Sequence, residues 1–206
     1  MDPVWLTWAK ELAAIAQNGL TFSENAYDVE RYEAIRRIAA EMMSAQSNVD
    51  TKTLLEIFAR EEGYATPKVD VRGVVFRDDK ILLVKEKIDG GWTLPGGWAD
   101  PCQSPSEGVV REIREESGYE TQTRRLLAVY DRSKHPHVPL MPFHIYKLFF
   151  LCDIVGGSPQ ISHETTAVDF FAEDHIPDLS VSRVLPFQIA RMFEHHRDPS
   201  LPTDFD

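Results

Sequence analysis

One stretch limits what this chain can fold into more than any other: Gly97 to Tyr119, GWADPCQSPSEGVVREIREESGY. Ser104-Pro105-Ser106-Glu107 carries the start signal of a helix, with Ser104 as N-cap, Pro105 at N1 and Glu107 at N3 closing a capping box. Gly118 supplies the stop, because it can leave a helix through the left-handed conformation. Val109, Val110 and Ile113 lie opposite the acidic residues and predict a helix anchored on a sheet. Glu112, Glu115 and Glu116 stand at i, i+3 and i+4, within an arc of roughly 100°. Like charges this close repel by about 0.2–0.5 kcal/mol per pair even on an exposed helix. A hard divalent cation among the carboxylates would turn that repulsion into ligation. The capping box accounts for Glu107 without a metal.

The pattern before this stretch changes character twice. Residues 1–64 read as helical, with Trp5, Trp8, Leu12, Ile15 and Ala16 at three- and four-residue spacing. Tyr27 to Gln46 repeats that period through Val29, Tyr32, Ile35, Ile38, Ala39 and Met42. Asp50 or Thr51 caps a third helix through Leu54, Leu55, Ile57 and Phe58, ended by Gly63. Three amphipathic helices make a bundle too small to be stable alone, so its apolar faces should pack on the main domain or on a second copy of the chain. Trp5 and Trp8 belong to that stripe, as core or interface. Thr66-Pro67 marks a boundary between a helical domain, 1–64, and a second domain, 67–206.

Beyond the boundary, Val69 to Phe76 and Ile81 to Val84 flank the turn Asp78-Asp79 as a hairpin. Strands follow at Leu126–Tyr130, His144–Val155 and Ala167–Ala172. A last helix covers Val184–Arg197, with Pro186 at or before its first turn. The order predicts an α/β fold, a mixed sheet with helices on its faces.

Charge narrows the partners. The 206 residues carry a formal net charge of −11, which works against broad capture of nucleic acid or anionic membranes. A small phosphorylated substrate remains compatible, because bound metal supplies local positive charge. Cys102 and Cys152 have no metal-ligand spacing and point to a reducing compartment. Nothing reads as a signal peptide, and the apolar run Ile145–Val155 is broken by Lys147 and Asp153. The expected location is the cytoplasm.

The Gly97–Tyr119 stretch resembles the Nudix signature, G-x5-E-x7-R-E-U-x-E-E-x-G-U, with U a bulky aliphatic residue. Gly97, Arg111, Glu112, Ile113, Glu115, Glu116 and Gly118 match it. Gln103 stands where the family has Glu, and Tyr119 where it has an aliphatic residue. Leu94-Pro95-Gly96-Gly97 is similar to the family's lead-in. The runs PKVDVR, LLVKEK, WTLPGGWAD, SHET and FFAEDHIP, with the helical segment, resemble a two-domain bacterial group of CDP-choline or ADP-ribose pyrophosphatases. The resemblance implies a Nudix α/β/α sandwich and a homodimer. It also implies Mg²⁺-dependent hydrolysis, with Mn²⁺ as a substitute, of a nucleoside diphosphate linked to a moiety X, a nucleotide-sugar or nucleotide-alcohol. The products would be a nucleoside monophosphate and phospho-X. Metal ligands would be Glu112, Glu115, Glu116 and the Gly96 carbonyl.

Other roles stay open on sequence. The general base is Glu112, oriented by Arg111, or Glu164 in His163-Glu164-Thr165-Thr166; Glu164 reads equally well as a solvated loop acid. Family position implies a further ligand or base at Glu164, and His163 reads as a loop residue. Arg72, Arg132 and Lys134 are candidates for substrate phosphates, and equally for surface charge; His135 and His137 share the loop with the last two. Trp92 and Trp98 could stack on a base or pack against the fold. Gln103 offers an oxygen without charge, and Asp100 a carboxylate three residues earlier. Two competing readings are a 3′–5′ RNA exonuclease and a non-catalytic ligand sensor. The acidic balance weighs against the first, and the intact Arg111, Glu112, Glu115 and Glu116 against the second.

Overall fold

The computed structural model describes residues 1–206 and divides into two compact units. The first comprises Met1–Pro67 with Leu140–His144, and the second Lys68–Pro139 with Ile145–Asp206.

The first unit is built from α1 (Val4–Phe22), α2 (Ala26–Ser44) and α3 (Thr51–Ala59). Asn25 caps α2, accepting from the Tyr27 N–H, and Asp50 caps α3, accepting from the Thr53 N–H. The third helix stops at Ala59, short of Gly63, with Arg60 as its C-cap. Leu6, Ala9, Ala39, Ala40, Met43, Leu54 and Phe58 form the buried centre, and Trp5 packs against it. Gly19 lets the first two helices approach closely, since a Cβ there would stand 2.3 Å from the Tyr32 ring. Trp8 is exposed, as are Val4, Ile15 and Phe22; together they form one stripe along α1.

The second unit contains β1 (Lys68–Arg77), β2 (Lys80–Glu86), β3 (Trp92–Thr93), α4 (Pro105–Ser117), β4 (Tyr119–Asp131), β5 (Ile145–Gly157), β6 (Thr165–Phe171), α5 (Pro186–Arg197) and β7 (Asp204–Phe205). The sheet runs β3-β2-β1-β5-β4-β7, with β6 also paired to β2. Strands β1 and β5 are parallel, as are β4 and β7; the remaining pairs are antiparallel. The β1–β2 hairpin turns at Asp78 and Asp79, both at positive φ.

Each face of this mixed sheet has its own core. Val71, Val75, Leu82 and Phe150 meet Val109 and Ile113 of α4. On the other face, Val74, Leu83, Leu127 and Phe149 meet Ile189, Met192 and Phe193 of α5. Gly73 sets the spacing to α4, since a Cβ there would fall 2.5 Å from Ile113 Cδ1.

The feature that positions the site is a gap in the pairing. Strands β1 and β2 pair only at Phe76–Ile81 and Arg77–Lys80, beside the turn. Nearer its start, β1 is bonded instead by the glycine-rich loop. Val71 N–H donates to Gly97 O at 2.8 Å, Gly73 N–H to Pro95 O at 2.8 Å, and Ala99 N–H to Val69 O at 2.9 Å. The loop therefore fills an edge that would otherwise be unpaired.

Candidate active site

Helix α4 begins and ends as its sequence dictates. The Ser104 hydroxyl accepts from Glu107 N–H, and the Glu107 carboxylate accepts from Ser104 N–H at 2.8 Å, a complete capping box. Gly118 is left-handed at φ 76°, and its N–H donates to Arg114 O. The helix is held at both ends and along its buried Val109–Ile113 face, so its carboxylates project from a fixed axis.

Two of them turn inward. Glu116 is 5% exposed, and its Oε2 accepts from Gly96 N–H at 2.8 Å. Burial pushes its pKa up to about 8, against the pull of Arg72 and the Gly96 N–H. Glu112 lies one turn earlier. Its oxygens are 3.1–3.2 Å from where a Cβ on Gly97 would stand, so the carboxylate lies close against that main chain. Burial raises the Glu112 pKa too, with Arg111 opposing. Glu112 and Glu116 thus converge on the main chain of Gly96 and Gly97.

Glu115 turns outward, with a side chain 56% exposed. It joins a network around Arg111, whose Nη1 donates to Glu115 Oε2 at 2.8 Å, Nη2 to Asp100 Oδ2 at 2.8 Å, and Nε to Gln103 Oε1 at 3.1 Å. Arg111 Nη2 is also 3.0 Å from Glu112 Oε1. This gives Gln103 and Asp100 a role unforeseen from sequence, as partners that hold Arg111 over the start of the helix.

Glu164 sits on a turn docked to the end of α4. Its own N–H donates to Ser162 Oγ at 3.0 Å, and the neighbouring Thr165 hydroxyl donates to Glu116 O at 3.0 Å. The carboxylate is exposed and 3.0 Å from His163 Nε2. The three cations proposed for phosphate lie in different settings. Lys134 is exposed. Arg132 is buried and donates to Pro139 O at 2.7 Å. Arg72 is 4% exposed, with Nε and Nη2 donating to the two Asp70 oxygens at 2.8 and 2.7 Å, and Nη1 to Leu94 O at 3.2 Å. His135 is paired with Asp206, while His137 is buried with Nδ1 2.9 Å from Val181 O. Of the two tryptophans, Trp92 packs edge-on against Phe171 and Trp98 stands exposed beside the loop.

Sequence reasoning passed over Asp70, Lys147, Glu86 and Arg183. Lys147 is buried and donates to Asp70 Oδ1 at 2.9 Å. Burial lowers the Lys147 pKa to about 8 against the attraction of Asp70. Glu86, also buried, is 2.8 Å from Arg183 Nε. A signal for the first pair existed. Asp70 and Arg72 alternate within an apolar strand, and Lys147 interrupts another, so charges had to face a buried layer where they would need each other. Nothing local marks Glu86.

Carboxylates one turn apart over a main-chain loop, on a capped helix beside a mixed sheet, are the kind of oxygen donors that a hard cation takes. Comparison with known proteins places that site in a family. Residues 66–188 match a family model described as a NUDIX domain, and residues 3–58 one described as a UDP-X-like, N-terminal oligomerisation domain. A Bacillus subtilis protein provisionally named ADP-ribose pyrophosphatase YjhB is 48% identical over 202 residues, 98% of this chain and 97% of its own. An ADP-ribose pyrophosphatase of Methanocaldococcus jannaschii is 34% identical over 123 residues, covering 57% of this chain and 69% of its own. Among solved structures, a UDP-X diphosphatase aligns with TM-score 0.64 and 33% identity over 98% of both chains. An ADP-ribose pyrophosphatase from Streptococcus suis aligns with TM-score 0.60 and 37% identity, over 68% of this chain and all of its own. The chain belongs to the Nudix family, with a UDP-X-like N-terminal domain ahead of its NUDIX domain, and is a Nudix pyrophosphohydrolase.

Proposed function

We propose that this pyrophosphohydrolase acts on a nucleoside diphosphate linked to a second moiety X, with ADP-ribose preferred and CDP-choline the next candidate. Water adds to one phosphorus, the bond from that phosphorus to the bridging oxygen breaks, and a nucleoside monophosphate and phospho-X leave. The observation that carries this reading is the convergence of Glu112 and Glu116 on Gly96 and Gly97. The names of the Bacillus and Methanocaldococcus relatives support ADP-ribose.

The donor set suits Mg²⁺, with Mn²⁺ as substitute. No group of three or more His, Cys, Asp or Glu side chains stands ready to hold a metal. Two carboxylates and the Gly96 carbonyl would then share the cation with water and substrate oxygens, the incomplete protein shell that Mg²⁺ accepts. Glu115 would join them by exchanging its bond to Arg111. When bound, the cation supplies neutralisation of phosphate charge and a lowered pKa for a coordinated water. Arg111 keeps Glu112 oriented. Glu164, on the turn bonded to the end of α4, is the general base in this reading, and Lys134 meets a substrate phosphate.

The helical unit makes the protein a homodimer by covering the stripe Val4, Trp8, Ile15 and Phe22 with a second copy. The family description of that segment as an oligomerisation domain supports this. No helix is long and apolar enough to cross a membrane, and we place the enzyme in the cytoplasm.

Chromatography of products from ADP-ribose, CDP-choline, UDP-sugars, nucleoside triphosphates and a short RNA, with and without Mg²⁺, tests the assignment. AMP and ribose 5-phosphate formed fastest would support it; preferred cleavage of a triphosphate or of RNA would replace it. For the base, Glu164→Gln should lower kcat by more than about a hundredfold, whereas near-normal turnover removes Glu164 from the chemistry.

A further inference from the structure

Arg72 does something for which its exposure leaves no surface role. Its guanidinium is buried and divided between two tasks. One edge is locked on Asp70 through Nε and Nη2, and Nη1 reaches the carbonyl of Leu94. Asp70 is itself immobilised. The parallel register of β1 and β5 sets it opposite Lys147, whose Nζ donates to the same carboxylate at 2.9 Å. The chain of contacts runs from the sheet, through Lys147, Asp70 and Arg72, to the first carbonyl of Leu94-Pro95-Gly96-Gly97.

That loop has little freedom on its other sides. Pro95 and Gly97 give their carbonyls to β1, and Gly96 gives its N–H to Glu116. Gly96 sits at φ 144°, where a Cβ would stand 2.0 Å from Val71 O and 2.9 Å from Arg72 Cα. The loop is threaded between β1 and the carboxylates of α4, and Arg72 holds the residue at its entrance. A lysine would have the charge but not the fork that spans Asp70 and Leu94 at once.

We propose that Arg72 is a positioning residue for the cation site: braced by Asp70 and Lys147, it holds the Leu94 carbonyl and so fixes Gly96 and Gly97 against Glu116 and Glu112. This rests on the reading of those carboxylates as cation ligands. It places Arg72 behind the site, at a distance from substrate phosphate.

The test is Mn²⁺ binding to the free protein, followed by electron paramagnetic resonance without nucleotide, for wild type, Arg72→Lys and Arg72→Gln. Steady-state kinetics with ADP-ribose run beside it. Loss of a group that orients a metal-holding element typically weakens metal binding by about 10–100-fold. Both variants are expected to show a loss in that range, with a fall in kcat at saturating cation and a KM for ADP-ribose within about twofold of wild type. Far-UV circular dichroism and cooperative melting must show each variant folded; if one fails, the other decides. Wild-type Mn²⁺ affinity in a folded variant would overturn the proposal. So would a raised KM with Mn²⁺ binding intact, which would make Arg72 a substrate contact. If the wild type binds Mn²⁺ but cleaves no nucleotide, the pyrophosphatase reading falls while the role of Arg72 is still decided by the binding arm.

Discussion

Two arginines serve the acidic helix, Arg111 from within it and Arg72 from β1, and they are used in opposite ways. Arg111 touches three carboxylates and an amide, yet its side chain is 27% exposed and its partners Asp100 and Glu115 are more than half exposed. Arg72 touches one carboxylate and one carbonyl, and is 4% exposed. Counting ion pairs would rank Arg111 as the more important. Solvent reverses the ranking, because exposed pairs contribute about 0.2–1 kcal/mol each and are screened further by salt. Removing one member of a buried group strands the others without water. Under the proposed cation binding at Glu112 and Glu115, the rim network would exchange partners while the floor under the loop stays put.

The sharpest way to break this contrast is at Asp70. Asp70→Asn leaves Arg72 and Lys147 buried without the carboxylate that pairs them both, and should cost about 3–5 kcal/mol in urea unfolding at neutral pH. A loss under about 1 kcal/mol would mean that water reaches the triad and that the floor is no different from the rim.

Backbone at the loop should follow next. Gly96→Ala places a methyl on Val71 O at a φ that suits glycine, with an expected loss of about 1–3 kcal/mol and of most cation-dependent turnover. Gly90→Ala is the matched control, since its φ of 70° is left-handed but nothing lies within 4 Å of the added Cβ. Its cost should stay near about 1–2 kcal/mol with activity retained. Equal damage at both positions would remove the crowding argument.

Acid should destabilise the fold in part through the floor. Burial alone would raise Asp70, but Arg72 and then Lys147 outweigh it and hold it at about 2, below the ordinary 3.8. A carboxyl depressed in the folded state stabilises fully above its unfolded value and ceases to do so as pH falls through the folded one. This contribution should therefore vanish between about pH 4 and pH 2. Asp204, held at about 2 by Arg191 against burial, with His195 adding to the pull, titrates in the same window. Urea midpoints should fall across that interval in the wild type, and less steeply in Asp70→Asn. An unchanged slope would assign the acid sensitivity elsewhere.

The smallest effect belongs to the rim. Asp100→Asn should change stability by no more than about 0.2–1 kcal/mol, and less in high salt. A larger, salt-insensitive loss would show that Arg111 is as fixed as Arg72.

The same contrast explains what could be read from the chain. Helix α4 was legible to the residue because its signals are local: a Ser-Pro-x-Glu start, an apolar stripe and a Gly stop within a single segment. The hairpin and the longer strands were legible from their apolar runs. The first half of β4 was not, because Thr121 and Thr123 take inward positions that an apolar pattern does not register. Strands β3 and β7, at two residues each, are too short to carry any period. Glu112, Glu115 and Glu116 were visible as one cluster, but the separation of Glu115 from the other two was not. It depends on where the glycine loop docks, which β1 decides from more than twenty residues away. Arg72 looked like any strand cation until the β1–β5 register put Lys147 opposite Asp70.

The inward carboxylates of α4 are proposed to hold the cation on which cleavage depends. The most direct measurement is a Mg²⁺ titration of ADP-ribose hydrolysis by wild type and Glu116→Gln, read as AMP released. The wild type should show no turnover in excess chelator and recover on adding Mg²⁺, and kcat for Glu116→Gln should be lower by more than about a hundredfold at every Mg²⁺ concentration. AMP released by Glu116→Gln at the wild-type rate, or by the wild type in chelator, would overturn that role for the inward carboxylates.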